Sequence, residues 1–229
     1  MKSMTGSGAM FDGIAKRYDL LNRLTTFGID RLWRQKAIGK LNLHSNHTVL
    51  DLAAGTLDIS ATILKRYPSV RVIAADPSKE MMKMGRTKLS SSSRIQLMAS
   101  VGEQLPFIDR SLDAAIIAFG IRNFANRAQS LKQLANAIRP GGRLVILELS
   151  IPQKGMLAPM AALYIQKIIP LLGKLLSSED EYAYLPESMK HFPQPDFFQK
   201  ELQAAGFDVI ETTPFMSGAC TLFVSSRRN

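Results

Sequence analysis

The stretch DLAAGTLD, residues 51–58, has the makings of a ligand loop. A short apolar run, TVLDLA (48–53), leads into it, and an amphipathic segment, DISATILKRY (58–67), leaves it. Gly55 lets the backbone of such a turn approach a ligand closely, and amides at the start of a helix can meet a polar edge. Asp76 follows 21 residues after Gly55, at the end of the next apolar run, VRVIAAD (70–76). A carboxylate at that spacing can accept from both hydroxyls of a ribose cis-diol. The competing reading of Asp76 is a turn residue ahead of Pro77. The pattern GxGxxG of dinucleotide sites is absent, and so is GxxxxGK[ST] of triphosphate sites. The ligand implied carries a ribose and no phosphates, which points to S-adenosylmethionine. A second polar group, Arg122 and Asn123, follows the apolar run LDAAIIAF (112–119). These two either face a ligand or cap and pair locally, with Glu148 a partner for the arginine.

Alternating elements position these residues. The apolar runs 48–53, 70–76, 94–99, 112–119 and 143–150 read as strands, and 58–67, 79–89 and 128–138 as helices between them. That succession implies a mostly parallel sheet covered on both faces. RPGG (139–142) reads as a tight turn. After a helix at 193–207, DVIETT (208–213) and CTLFVSS (220–226) read as a closing hairpin, giving seven strands with the last antiparallel. Residues 11–40 read as helical, with Phe11, Ile14, Ala15, Tyr18, Leu21 and Asn22 on one stripe. Residues 151–190 break the alternation and read as an insertion over the sheet's edge. Residues 1–10 read as a disordered start to a single domain of 11–229.

The 229 residues allow a substantial core. A net charge of +10 suits an anionic partner, a bilayer surface or nucleic acid, or simply a solvated surface. Eight of the first 40 residues are Lys or Arg, against three Asp. The single cysteine, Cys220, excludes a disulfide framework and fits a reducing cytoplasm. The most apolar stretch, 155–176, is interrupted by Lys167 and Pro170 and falls short of the roughly 18 apolar residues of a spanning helix. It reads as an apolar lid or interfacial segment. His44, His47 and His191 read as surface loop residues, and no metal site is expected.

Several stretches together resemble the UbiE/MenG C-methyltransferases of quinone biosynthesis: MFDGIAKRYDLLNRLTTFGIDRLWR (10–34), VLDLAAGTLDIS (49–60), EQLPF (103–107), FGIRNF (119–124), RPGGRLVILELSIP (139–152), YAYLPES (182–188) and HFPQ with AGF (191–207). The resemblance implies the Rossmann-like fold of class I methyltransferases, with helical lids at 11–47 and 151–190. It implies methyl transfer from S-adenosylmethionine to a ring carbon of a prenylated quinol, demethylmenaquinol or, in the ubiquinone pathway, a methoxy-benzoquinol. The segment 155–176 suits a prenyl tail, and the basic N-terminal region suits peripheral contact with an anionic membrane from the cytoplasmic side. By the same resemblance Asp51, Gly55, Thr56, Asp76, Val101, Gly102 and Ala118 surround the cofactor. Arg122 would hold a developing quinolate, Asn123 would orient the ring oxygen or a water, and Tyr18 would complete a proton path.

The chain departs from that family at three places. Leu57 stands where the family has glycine, Val101 where it has Asn or Asp, and Ala118 where a small polar residue is frequent. Leucine resists positive φ, and valine cannot bond an adenine amine. Both departures predict weaker cofactor binding unless the backbone compensates. Two other classes stay in view. One is an RNA methyltransferase, for which neither NPP[YF] nor a Pro-Cys pair is present. The other is a non-catalytic quinone- or nucleotide-binding protein.

Overall fold

The computed structural model describes residues 11–13, 15, 23, 26–89, 93–152, 158–163, 167 and 180–229. In chain order these hold α1 (Asp30–Gly39), β1 (Thr48–Leu52), α2 (Asp58–Arg66), β2 (Arg71–Ala75), α3 (Lys79–Gly85), β3 (Ile95–Met98) and β4 (Leu112–Ala118). There follow α4 (Arg127–Ala137), β5 (Ile138–Leu149), α5 (Ala158–Leu163), α6 (Asp180–His191), α7 (Pro195–Ala204), β6 (Phe207–Phe215) and β7 (Cys220–Arg227).

The strands form one sheet in the order β3-β2-β1-β4-β5-β7-β6. The pairs from β3 to β5 are parallel, and β7 runs antiparallel to both neighbours. Alternate side chains of a strand face opposite ways, and the core divides accordingly. Val49, Val72, Ala114, Ile116 and Val145 pack with Trp33, Ala37 and Ile38 of α1 and Ile59 and Ile63 of α2. Leu50, Ala115, Ile117, Leu144 and Ile146 pack on the other face with Leu131 and Leu134 of α4 and Phe198 and Leu202 of α7. Near-continuous apolar strands are what two covered faces require.

The predicted seven strands and their directions agree with this sheet. Three local expectations do not. The helical stripe of 11–40 is not one helix: residues 26–29 form a turn, with Phe27 and Gly28 at positive φ, before α1 begins. α1 then lies on the sheet as part of its covering layer, so the lid assigned to 11–47 does not include it. The RPGG segment belongs to β5, because α4 stops at Ala137. The pairing with β4 shifts register between Leu112 and Ala114 to absorb it. Finally, His191 ends helix α6 rather than lying on a loop. Of the stretch 151–190, α5, α6 and residues 151, 152 and 167 are described.

Candidate active site

The strand order reverses at β1, whose neighbours are β2 on one side and β4 on the other. In open parallel sheets the crevice for a ligand opens outside the carboxyl ends at that point. A cavity of about 330 Å³ lies there. Gly55 of the β1–α2 loop, Asp76 and Pro77 after β2, Val101 and Gly102 after β3, and Phe119, Gly120 and Asn123 after β4 line it. Four separate loops thus converge on one space.

Asp76 is 6% exposed. One of its oxygens accepts from the Gly55 amide at 2.8 Å and the other from the Ser78 amide at 2.8 Å. An ionised carboxylate offers about two acceptor positions on each oxygen, so acceptor capacity remains on both atoms at the cavity wall. Burial raises the Asp76 pKa, the two amide bonds oppose that shift, and Asp12 nearby adds to it. The loop amides are used differently from the expectation of a polar cradle. Gly55 N–H goes to Asp76, Ala54 N–H to Ala75 carbonyl at 3.1 Å, and Leu57 N–H to Ala54 carbonyl at 2.9 Å. A phosphate would find these donors already engaged, which agrees with a ligand lacking phosphates.

At the β4 tip, Ile121–Asn123 form a short 3-10 turn. Asn123 reaches the cavity wall, and the Arg122 guanidinium does not. Arg122 lies behind the wall, its side chain 6% exposed, against the fully buried Glu148 of β5. Its Nη1 donates to Glu148 Oε1 at 2.5 Å and to the Phe119 carbonyl at 2.7 Å, and its Nε donates to Ser188 Oγ at 3.2 Å. The Arg122 amide also donates to Glu148 at 3.1 Å. The local reading of Arg122, pairing with Glu148, is therefore the observed one.

This geometry has close relatives. The family model for the ubiE/COQ5 methyltransferase family matches residues 2–227. The chain belongs to that family. The ubiquinone/menaquinone biosynthesis C-methyltransferase UbiE of Geotalea daltonii is 40% identical, over 95% of this chain and 94% of its own. The demethylmenaquinone methyltransferase of Thermus thermophilus is 40% identical, over 87% and 92%. Among solved structures, a SAM-dependent methyltransferase from Aquifex aeolicus superposes with a TM-score of 0.67 at 17% identity, over 93% of this chain and 97% of that one. Phosphoethanolamine N-methyltransferase 2 of Haemonchus contortus, in complex with S-adenosyl-L-methionine, gives 0.64 at 11% identity, over 86% and 52%. Those two likenesses establish the class I methyltransferase fold.

Within this methyltransferase, Gly55, Asp76, Val101, Gly102 and Asn123 line the cavity. Asp51, Thr56 and Ala118 are buried beside it and do not. Asp51 accepts from Ser60 N at 3.0 Å and Ser60 Oγ at 2.6 Å, tying the end of β1 to the first turn of α2. Full burial pushes its pKa up to about 7, against the bonds from Ser60 and the charge of Arg34. Ala118 belongs to the apolar core. Tyr18 lies outside the described residues.

Leu57 does take the left-handed backbone a glycine would take, φ +63° and ψ 22°. Its side chain is fully buried and turns away from the cavity, into a cluster with Ala54, Ala74 and Met82. Room for it comes from Gly85 at the end of α3, where a Cβ would sit 2.5 Å from the Thr56 carbonyl and 2.7 Å from Leu57 Cγ. The backbone thus compensates for the missing glycine at a cost of about 1–2 kcal/mol. Val101 lines the cavity 40% exposed, and its side chain offers no polar atom.

The sequence reading missed several contributors. Phe11 lines the cavity, and Asp12 beside it accepts from Ser78 Oγ at 2.5 Å, fastening the N-terminal helical residues to the start of α3. Phe119 also lines it, at φ +63°. Nothing in one sequence marks a pairing between positions 12 and 78. Two residues set aside also stand differently. His47 is half-buried between Asp113 and Arg139, and burial lowers its pKa. Cys220, remote in sequence, pairs with Leu149 at the carboxyl edge of the sheet where the cavity opens. Its thiol is buried, and burial first, then the Glu148 charge, raises its pKa well above the usual value. A thiol held protonated is no nucleophile.

Proposed function

We propose that the protein transfers the methyl group of S-adenosylmethionine to a ring carbon of demethylmenaquinol, giving menaquinol. The observation that carries this reading is one cavity walled by both Asp76 and Asn123 in a chain matched by the family model from residue 2 to 227. Asp76 would hold the ribose diol, since both its oxygens keep acceptor capacity at the wall. Gly55 would let the methionine part pass close to the β1 tip, while Val101 and Gly102 would flank the adenine. When bound, the cofactor supplies a methyl already activated on a sulfonium, so no metal is required.

The acceptor carbon is a weak nucleophile until the adjacent phenol, with an ordinary pKa near ~10, gives up its proton. Asn123 would donate to that ring oxygen and steady its developing charge. Arg122 acts one step back: bonded to Glu148 and to the Phe119 carbonyl, it holds the turn that presents Asn123. Tyr18 is retained as the candidate for carrying the proton away, on the family resemblance alone.

The quinol's prenyl tail also calls for contact with a bilayer. α1 runs antiparallel to β6, since Lys40 pairs with Glu211 while Lys36 lies over the Phe215 ring at 5.1 Å. Its first turn therefore extends past the end of β6, at the cavity's edge of the sheet. Phe27, Leu32 and Met216 there are 73%, 65% and 51% exposed, beside the exposed Arg31 and Lys36. Apolar side chains among cations suit an anionic lipid surface. No helix among the described residues is long and apolar enough to cross a membrane.

The test is an assay of labelled-methyl transfer with demethylmenaquinol in anionic vesicles, beside a methoxy-benzoquinol acceptor. Transfer to the first is expected. Transfer to the second alone would move the enzyme to the ubiquinone pathway, and transfer to neither would overturn the assignment.

A further inference from the structure

The segment FGIDRLWRQKAI (27–38) holds most of α1 and its lead-in turn, and the methyl-transfer roles assigned above include none of its residues. Arg34 projects from α1 toward the carboxyl edge of the sheet. Its guanidinium lies 4.8 Å from the centroid of the Phe119 ring. Arg34 Nε donates to Asp30 Oδ2 at 3.3 Å, and Asp30 Oδ1 accepts from Thr26 Oγ1 at 3.0 Å. Asp30 is itself buried, and the Arg34 side chain is only 12% exposed. The cation is thus desolvated, aimed and braced before it meets the ring.

Phe119 is a residue that needs holding. It sits at φ +63°, a conformation an aromatic side chain resists. That conformation turns the chain sharply at the end of β4. The Phe119 amide still reaches the Leu147 carbonyl at 2.7 Å, while its own carbonyl swings back to Arg122 Nη1 at 2.7 Å. Gly120 then passes the tip of β1 so closely that a Cβ on it would collide with Ala53 Cβ. Asn123 follows within the same turn, its amide donating to the Gly120 carbonyl at 3.0 Å, and lines the cavity. Two guanidiniums therefore fix Phe119 from opposite ends: Arg122 holds its carbonyl and Arg34 its ring.

We propose that Arg34 is a positioning residue of the methyl-transfer site: by stacking on Phe119 it keeps the β4 tip in the left-handed conformation that presents Asn123 to the methyl acceptor. The inference rests on the function proposed above. A desolvated cation over an aromatic face is a strong enough contact to favour one strand-tip conformation over another. Strain of this kind persists at functional sites only where the surroundings over-determine it.

The test compares Arg34→Met, which keeps the stem and loses the charge, with Arg34→Lys, which keeps a cation. In Arg34→Met, kcat for the quinol should fall about tenfold. The dissociation constant of S-adenosylmethionine, measured by calorimetry, should stay within about twofold. Arg34→Lys should recover most of the rate. A loss of melting temperature with kcat unchanged in both variants would overturn the proposal. Fluorine NMR of 4-fluorophenylalanine at position 119, assigned with Phe119→Leu, gives a readout independent of turnover. Its resonance should shift in Arg34→Met and return toward wild type in Arg34→Lys. An unmoved resonance in Arg34→Met would refute the positioning role even if the wild type methylated no quinol, whereas inactivity of the wild type alone would count against the assigned reaction.

Discussion

Two turns at the same edge of the sheet solve the same backbone problem by different means. The loop after β1 holds Ala53, Gly55 and Leu57 at positive φ, and the tip of β4 holds Phe119 there. Behind Leu57 the support is apolar. Leu57 is sealed among Ala54, Ala74 and Met82, and the absence of a side chain at Gly85 makes the space. Behind the β4 tip the support is ionic, from the Arg122–Glu148 pair and the Arg34 stack. Packing tolerates partial loss, because neighbours relax into a void. A buried ion pair does not, because removing one partner strands the other's charge. The β1 loop should therefore tolerate substitution better than the β4 tip.

The largest effect expected from this contrast is at Arg122. Arg122→Met leaves Glu148 fully buried and uncompensated, and unfolding free energy should drop by about 3–5 kcal/mol. Denaturant midpoints check this, and Arg122→Met with Glu148→Leu should recover part of the loss. A single variant as stable as wild type would erase the distinction between the two turns. Next comes Leu57→Gly. It relieves the positive φ but empties the cluster, and a net loss of about 2–4 kcal/mol is expected by the same measurement. Its affinity for S-adenosylmethionine should stay within about threefold, since the leucine side chain does not enter the cavity.

A smaller effect concerns Asp51, whose pKa is raised from 3.8 to about 7 in the folded protein. The fold thus favours the protonated acid relative to the unfolded chain. That contribution is present below the unfolded value and is lost as pH rises through about 7. Asp51→Asn cannot lose it. Melting temperatures of the two proteins should therefore move in the variant's favour between about pH 5 and about pH 8.5. A constant gap would mean the carboxyl is not shifted. The smallest effect is at Val101, where Asn restores a group able to bond an adenine amine. Cofactor affinity should rise by the worth of one hydrogen bond, about 1 kcal/mol or some fivefold, by calorimetry.

Much of this was legible in the amino-acid sequence because it depends on local periodicity. The apolar runs mark the strands, and the interval from Gly55 to Asp76 marks two adjacent strand ends that must open on one crevice. Even the Arg122–Glu148 pair was among the open alternatives, as both residues lie at parallel strand ends. What stayed hidden depends on distant partners. The direction of Leu57 is decided by Gly85, and the reach of Asp12 by Ser78. A stack between Arg34 and Phe119 joins elements that are far apart in the chain. The break at residues 26–29 lies beyond the apolar stripe, which ends at Asn22, and a single Gly28 does not by itself mark a helix end. Asp51 carries a polar group of the motif, but it is buried and bonded to Ser60, which spacing alone does not distinguish from a ligand contact.

The cavity walled by Asp76 is expected to bind S-adenosylmethionine despite Leu57 in its loop and Val101 on its wall. Calorimetric titration of that cofactor into wild type and Asp76→Asn tests it most directly. Micromolar binding by wild type, weakened about tenfold or more in Asp76→Asn by loss of a charged acceptor, is the predicted result. Absence of binding by wild type, or equal binding by both proteins, would contradict the account.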